Sequence, residues 1–396
     1  MKKIKIIDYY SIKTFHEVIN FSLLMICSKI FDKTTYVSGK SAQMNIKKMH
    51  KLYNSNSIKY ETAYTFETDS SWAARMRDIW GVITTLYYYF ITSYNTLIFY
   101  NYTNKISLPI ILILNSLLRK KIIFVFHGEL EFLTGNVSYL KTSGWYKYSM
   151  DLSFKYLFKL SPAYILVLGD SIKSNLLKRY PHINNKILSI CHPYFTDTQF
   201  SSKAVRPRPS TNTTVKIGTI GIMKQEKGLS SLITLSSKLK DLIKEKKIEL
   251  YHIGKVYTDK KEYLVNEIYW IGNAIGLDRE EFDKHIQQLD YLLFLYPTNS
   301  YKLTASGAIM DAVKLRKPII SLHNDYFDYL MGKAPIGYMG NTLDELEQII
   351  RKVVNRELNN NFNQEFDLLS QKISIVNNTI LFEKELENFL GHGFFS

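Results

Sequence analysis

The chain has 396 residues, of which 46% are hydrophobic and 22% are charged, so it is neither disordered nor fibrous and is long enough for two domains. Its formal net charge of +15 is spread along the whole sequence, which favours an anionic partner: nucleic acid, a phosphorylated sugar donor or an anionic membrane surface. The two cysteines, Cys27 and Cys191, show no CxxC or zinc-type spacing, which predicts a reducing cytoplasm and no zinc site.

One uncharged stretch, residues 81–104, raises the question of a membrane span. It contains Thr, Ser, Asn and six tyrosines, so a helix followed by a buried strand explains it better. The apolar run at the N-terminus is short and is interrupted by Lys5 and Asp8, which predicts a first strand rather than an export signal. We therefore expect a cytoplasmic protein, either soluble or peripheral on the inner face of the cytoplasmic membrane.

Alternating apolar strands and helical segments predict a first α/β domain over residues 1–200. Its expected strands include 4–8, 34–37, 59–65, 96–100, 121–126 and 164–169, and its expected helices include 71–91 and 109–118. The helix after the first strand carries His16 and Asn20, which share one face at a spacing of four. Both are candidate acceptor-binding residues, and a surface or capping role is the alternative for His16.

A candidate catalytic segment follows the apolar strand at 121–126. The strand has the composition of a central parallel strand and delivers His127, Gly128, Glu129 and Glu131 at its carboxyl end, where open α/β sheets bind ligands. His127, Glu129 and Glu131 supply acid and base groups there. The alternatives are a histidine bonded to a loop carbonyl and carboxylates that are merely solvated.

Residues 201–214 are polar, contain proline and lack apolar periodicity, which predicts a linker to a second α/β domain over 215–375. A final helix within 376–396 is expected to cross back to the first domain. The strand at 215–221 leads through a glycine- and lysine-containing loop to a helix at 229–242. The candidate phosphate-binding residues of this loop are Gly221, Lys224, Lys227 and Gly228. The loop contains neither GK[ST] nor GxGxxG.

A second strand-to-helix turn is predicted within 298–322. A buried strand at 291–296 is followed by a polar loop with Tyr301 and Lys302, and Thr304 or Ser306 is expected to cap a helix that starts near Gly307. The N-terminus of such a helix favours a phosphate group, and Asp311 lies about one turn further along, where it can reach a hydroxyl group. An ordinary capped turn is the alternative.

These two turns together resemble the GT-B glycosyltransferases, most closely the bacterial group-1 family that uses nucleotide-sugar donors. The segment GIMKQEKG keeps Gly221, Glu226, Lys227 and Gly228 of the family's first loop, with Ile222 in place of an arginine. Asp311 aligns with the second of the family's two glutamates, and Leu303 stands at the first. His127 matches the place of a family histidine near the transferred sugar.

The resemblance implies two Rossmann-like domains whose parallel sheets face each other across a cleft. It also implies a donor diphosphate bound without metal or cofactor by Lys227, Lys224 or Lys302 and the amides at Ser306 and Gly307. The chain contains no DxD motif, in keeping with this. The acceptor would be lipid-linked or an oligosaccharide of a bacterial capsule or O-antigen. The resemblance favours a reaction that retains the anomeric configuration of the sugar. A reaction that inverts it would require His127, Glu129 or Glu131 as a general base.

Two other classes of function remain open from the sequence. A sugar-nucleotide epimerase has the same fold and a similar donor site. A non-enzymatic basic protein that binds nucleic acid or a membrane would explain the charge. However, no nucleic-acid-binding motif or concentrated basic stripe occurs, so we expect no nucleic-acid partner.

Overall fold

A computed structural model describes residues 2–53, 58–68, 70–134, 142–195, 214–257, 265–272, 277–298, 300–332, 334–359 and 361–390. The chain forms two compact α/β units, each built on a parallel sheet of its own. The first unit contains the described residues up to Phe195, Leu303–Ala305 and the described residues from Lys372 onward. The predicted linker 201–214 lies outside the described residues, apart from Thr214.

The first unit contains a seven-stranded parallel sheet in the order β3-β2-β1-β4-β5-β6-β7. The strands are β1 (Lys3–Asp8), β2 (Lys33–Ser38), β3 (Ile58–Thr62), β4 (Thr96–Tyr100), β5 (Ile122–Val125), β6 (Tyr164–Val167) and β7 (Ile187–Ser189). The helices up to this point are α1 (Glu17–Ile30), α2 (Lys40–Leu52), α3 (Ser71–Ile91), α4 (Ser107–Leu118), α5 (Thr142–Leu152), α6 (Phe158–Leu160) and α7 (Asp170–Arg179). The predicted helix 71–91 is confirmed.

Burial explains why β4 and β5 are the central strands of this sheet. Their sequences, TLIFY and IIFV, are almost entirely apolar, and all of β5 is buried, as expected for a parallel strand covered on both faces. Successive strands first run outward from β1 to β3 and then from β4 to β7. The topological switch point, where such sheets bind ligands, therefore lies between β1 and β4.

The second unit contains a six-stranded parallel sheet in the order β10-β9-β8-β11-β12-β13. The strands are β8 (Val215–Ile220), β9 (Ile248–Ile253), β10 (Ile268–Ile271), β11 (Tyr291–Phe294), β12 (Ile319–Leu322) and β13 (Gly337–Gly340). The helices are α8 (Leu229–Lys238), α9 (Lys240–Lys244), α10 (Arg279–Gln287), α11 (Gly307–Lys314), α12 (Asp325–Met331), α13 (Leu343–Val354) and α14 (Asn363–Ile373), of which α14 ends just inside the first unit. Here the switch point lies between β8 and β11.

The helix predicted at 229–242 is two helices. The break falls at Leu239, which leaves the helical backbone region with φ −98° and ψ 12° and is fully buried. Leu239 packs with Leu235 and Leu242 in the core beneath the sheet, so tertiary packing overrides the continuous helical pattern.

The last helix, α15 (Ile375–Leu390), belongs to the first unit. Its side chains Phe382 and Leu386 are fully buried in the core formed by β1, β4 and α1, and the Phe382 ring lies 6.1 Å from that of Phe99. Among the described helices of the whole chain, none is both long and apolar enough to cross a membrane.

Candidate functional site

The turn between β8 and α8 is shaped by two glycines with left-handed backbone. Gly221 has φ +86° and Gly228 has φ +89°, and a short 3₁₀ turn, Gln225–Lys227, lies between them. A Cβ atom at Gly228 would lie 2.2 Å from the carbonyl oxygen of Leu295, just after β11. Only glycine allows this approach, so the loop rests against the carboxyl end of the neighbouring strand.

The two predicted lysines of this turn differ in their surroundings. Lys224 is exposed, and its Nζ lies 3.8 Å from the carboxylate of Glu226. Lys227 is half-buried, and no acidic side chain among the described residues pairs with it. Desolvation, together with the charge of Lys224, lowers the pKa of Lys227. A partly buried, unpaired cation is suited to binding an anion.

The turn between β11 and α11 leaves the start of α11 uncapped. The helix begins at Gly307, but the side chain of Ser306 caps no backbone amide and its Oγ lies 3.4 Å from the Tyr296 hydroxyl. The Thr304 hydroxyl donates to the carbonyl of His127, so the predicted side-chain cap is absent. A Cβ atom at Gly307 would meet nothing within 4 Å. The first turn of α11 therefore lacks a side-chain cap, and there is open space beside Gly307 at the positive end of the helix dipole.

Two aromatic rings support the loop that leads to α11. The Tyr301 ring stacks on that of Tyr296 with centroids 4.2 Å apart, and Tyr301 has a left-handed backbone with φ 57°. The neighbouring Lys302 is half-buried. The loop thus has a defined shape. It carries Lys302, one of the lysines that the resemblance assigns to the donor diphosphate.

Asp311 is held by a residue that the sequence did not single out. Its Oδ1 accepts a bond of 2.5 Å from Nη2 of Arg279, the first residue of α10. Arg279 also lies 3.1 Å from Asp283, which in turn pairs with Lys314. Asp311 is 8% exposed, so the ion pair orients a nearly buried carboxylate.

The switch point of the first unit holds a buried polar cluster built around Asp8. The Asp8 carboxylate accepts bonds of 2.7 Å from the Ser11 hydroxyl, the Asn20 amide and the Tyr36 hydroxyl. Asn20 in turn accepts a bond of 2.9 Å from the side chain of Asn101, which follows β4. Burial raises the pKa of the Asp8 carboxyl even though the bonds from Ser11 and Tyr36 act to lower it. Asn20 therefore connects the loops after β1 and β4.

His127 joins this cluster in one defined tautomer. Its Nε2 lies 2.7 Å from the backbone carbonyl oxygen of Asn101. Because a carbonyl oxygen only accepts, Nε2 carries a proton and donates it, which leaves Nδ1 as the ring nitrogen able to accept a proton. The alternative considered from the sequence, a histidine bonded to a loop carbonyl, is therefore correct for Nε2. It does not prevent Nδ1 from taking part in the reaction.

Two further histidines surround His127. The ring of His16 lies 5.4 Å from that of His127, and the His16 backbone is left-handed with φ 58°, a strained conformation that is common at functional sites. His192 follows β7 and is 7% exposed, and its Nδ1 has no partner among the described residues. Burial, together with the charge of His127, lowers the pKa of His192 to about 4. His192 is therefore neutral at physiological pH.

The two predicted carboxylates both have positioning contacts. Glu129 is 5% exposed, and its Oε2 accepts bonds from the backbone amides of His127 and Gly128 at 2.8 and 3.0 Å. Glu131 accepts from the backbone amide of Leu303, which belongs to the same unit, at 3.1 Å. These contacts shape the loop that presents His127. A role of either carboxylate as general base stays a prediction.

Sequence reasoning missed four residues at these two sheet edges. Asp8, Asn101 and His192 each follow or end a strand of the first sheet, and Arg279 begins α10. The strand-end positions of the first three carry a signal, because parallel strands deliver their carboxyl ends to one edge. Arg279 carries no such signal, because its partner is 32 residues away in the sequence.

No family model matches the sequence, and no curated protein matches it significantly. Solved structures do match, over nearly the whole of both chains. HepE from Anabaena, in complex with UDP and glucose, has a TM-score of 0.65 at 13% identity, covering 98% of this chain and 100% of its own. Sucrose-phosphate synthase from Thermosynechococcus elongatus gives 0.65 at 10% identity, over 98% of this chain and 99% of its own. WaaG, a glycosyltransferase involved in lipopolysaccharide biosynthesis, gives 0.58 at 9% identity, over 97% and 99%.

At these identities the likeness establishes the fold. The chain has the α/β architecture of the GT-B glycosyltransferases, as the resemblance of its two turns implied. Among the described residues, no group of three or more His, Cys, Asp or Glu side chains is arranged to hold a metal ion. Metal independence stays a prediction that concerns the reaction rather than the fold.

Proposed function

We propose that this protein is a glycosyltransferase that moves a sugar from a nucleotide-diphosphate donor to a lipid-linked or oligosaccharide acceptor. The proposal rests on two turns of the second unit that are both suited to binding an anion. The β8–α8 and β11–α11 turns leave adjacent parallel strands at the switch point of the sheet. One presents Lys227 and the other presents the uncapped start of α11.

The chemistry requires stabilisation of the leaving diphosphate. The bond between the anomeric carbon of the sugar and the diphosphate oxygen breaks, and its electron pair moves onto the diphosphate. Lys227 and the first amides of α11 stabilise that charge without a metal ion. Asp311, oriented by Arg279, is suited to accept a hydrogen bond from a hydroxyl group of the nucleotide ribose.

The polar cluster of the first unit is proposed to act on the acceptor side. The acceptor hydroxyl forms the new bond to the anomeric carbon and loses its proton. Nδ1 of His127 is the available ring nitrogen in that cluster and is suited to receive the proton in an inverting reaction, whereas a retaining reaction needs no such base. Bacterial capsule or O-antigen synthesis, in the cytoplasm or at the inner membrane face, is the setting in which we place the reaction.

A panel of nucleotides tests the proposal directly. We expect UDP, GDP, CMP or dTDP to raise the melting temperature, because a ligand at 100 times its Kd stabilises a protein by about 2.7 kcal/mol. UDP is the first choice because HepE was crystallised with UDP and with UDP-glucose. The proposal is rejected if none of the four nucleotides shifts the melting temperature and no nucleotide sugar is hydrolysed or transferred.

Product analysis separates the alternatives. An epimerase would change the sugar while it stays attached to the nucleotide and would need no acceptor. A nucleic-acid-binding protein would retain RNA with an affinity that falls steeply with salt. Transfer that persists in EDTA would support metal independence, and transfer abolished by EDTA and restored by a divalent cation would overturn it.

A further inference from the structure

The outward side of α3 is apolar, although the outward side of a surface helix is normally polar. Six of its apolar side chains are each more than half exposed, and from Ile79 to Phe90 they recur every three or four residues: Trp72, Ile79, Ile83, Tyr87, Phe90 and Ile91. Arg75 is the one exposed charge among the described side chains of this helix. At about 1.5 Å per residue, the 21-residue helix carries this stripe for about 30 Å.

The apolar surface continues on the neighbouring helical segments. Helix α4 packs against α3 on one side and against the segment from α5 to α6 on the other. The outward side chains of α4 are Ile110, Ile113 and Leu117, the last of which is 77% exposed. Those of the α5–α6 segment include Trp145, Tyr148, Tyr156 and Leu160, each exposed by 55% or more. We call these side chains, with those of α3, the apolar face.

The exposed charges on the segments that carry the apolar face have one sign. The exposed charged side chains in the described parts of 71–160 are all basic: Arg75, Arg119, Lys121, Lys155 and Lys159. Of the four acidic residues there, Asp78 and Glu129 are buried, whereas Glu131 and Asp151 are half-buried, and Asp151 lies 2.7 Å from Lys155. No acidic side chain is exposed in these described segments.

We infer that the apolar face docks onto an anionic lipid bilayer. Exposed Trp and Tyr suit the headgroup level, Ile and Leu suit the acyl boundary, and each Lys or Arg is attracted to an anionic surface. A contiguous apolar surface of this extent is rare on a monomer that has no partner. A symmetric contact between two copies would bring the basic side chains of both copies together, whereas anionic lipid neutralises them. The inference does not depend on sugar transfer.

Vesicle binding by matched variants tests this surface. Phosphatidylcholine vesicles with and without phosphatidylglycerol are sedimented with the full-length protein. We expect binding to the mixed vesicles only, weakened by salt. Binding should be about tenfold weaker for Ile83→Glu, because the substitution replaces an exposed apolar side chain of the face with a carboxylate. The control is Ile380→Glu, since Ile380 lies on α15, is 62% exposed and is not part of the apolar face. It should bind like the wild type.

A second pair of variants, each with one lysine replaced, gives an independent measurement. Lys159→Gln should weaken binding to the mixed vesicles, and Lys244→Gln, an exposed lysine of the second unit, should not. The inference is overturned if wild-type protein stays in the supernatant with mixed vesicles, or if Ile83→Glu and Ile380→Glu bind equally. It is also overturned if sedimentation velocity shows a dimer that Ile83→Glu dissociates while vesicle binding is unchanged. A nucleotide thermal shift measured on the same samples reports separately on the proposed sugar transfer.

Discussion

Lys227 combines a cost to stability with a proposed role in binding. Because its pKa is lowered in the folded state, keeping the amine charged at neutral pH destabilises the fold, and this penalty fades as the pH rises toward the unfolded-state pKa of about 10.4. A bound diphosphate would offset the penalty. Such conflicts between stability and function are common where a site holds a partly desolvated charge.

We predict that Lys227→Met raises the melting temperature of the free protein and removes most of the nucleotide-induced shift. Loss of a charge-assisted bond of about 1.5–3 kcal/mol corresponds to roughly 10- to 100-fold weaker binding. Differential scanning fluorimetry with and without the best nucleotide measures both effects. Lys224→Met is the matched control, since Lys224 is exposed and lies near Glu226. Equal effects of the two substitutions would contradict the assignment.

His192 is predicted to make the first unit sensitive to acid. Its pKa is about 4 in the folded state and about 6.5 when unfolded, so the unfolded chain binds the proton first. Stability is therefore unaffected above pH 6.5 and is lost as the pH falls toward 4, by ~3 kcal/mol at most. His192→Gln should make the melting temperature less dependent on pH between 6.5 and 4. Thermal melts between pH 4 and pH 7 of the wild type and of His192→Gln measure the effect, and identical pH profiles would contradict the prediction.

At the scale of elements, the two turns of the second unit use glycine for different reasons. Gly228 is required for the close approach to Leu295 and for a left-handed backbone, so it is a structural glycine. Gly307 begins a helix, and a Cβ atom added to it would have no neighbour within 4 Å, so its small size leaves space rather than relieving a clash. The turns are therefore expected to respond differently to the same substitution.

We predict that Gly228→Ala lowers the free energy of unfolding by at least about 2 kcal/mol, through the left-handed backbone and the overlap with Leu295. Gly307→Ala should leave stability within about 0.5 kcal/mol but reduce the nucleotide-induced shift, because the added methyl group occupies the space in front of the helix amides. Urea denaturation and nucleotide titration measure the two quantities. A destabilised Gly307→Ala variant with normal nucleotide binding would contradict this reading of α11.

At the scale of the whole molecule, the end of the chain completes the unit with which the chain begins. Helix α15 buries Phe382 against Phe99 of β4. The first unit therefore cannot complete its core until the second unit has been synthesised. The stability of the first unit thus depends on contacts between residues that are far apart in the sequence.

We predict that Phe382→Ala destabilises the first unit by about 3–5 kcal/mol, the usual cost of removing a buried aromatic side chain. Hydrogen exchange followed by mass spectrometry should show faster exchange in β4 and β7 and little change in β8 and β11. Ile380→Ala is the control, because Ile380 is exposed on the same helix. Equal acceleration in both sheets would show that the two units unfold together.

Much of the secondary structure of this protein was predictable from local sequence patterns alone. The apolar runs of β4 and β5, the full extent of α3 and the glycine-containing turn before α8 were all predictable, because burial and turn geometry impose short-range patterns. So was the two-sheet α/β architecture. The continuous helix at 229–242 was wrong, because the packing of Leu239 is a tertiary effect.

Only the tertiary structure decided which polar side chains meet. Asp8, Asn20, Asn101 and His127 form one cluster because strand order places the ends of β1, β4 and β5 side by side. The pairing of Arg279 with Asp311 and the apolar face on α3, α4 and α5–α6 arise in the same way. Sequence spacing records periodicity along one element, whereas these sites depend on which elements become neighbours and which face stays uncovered.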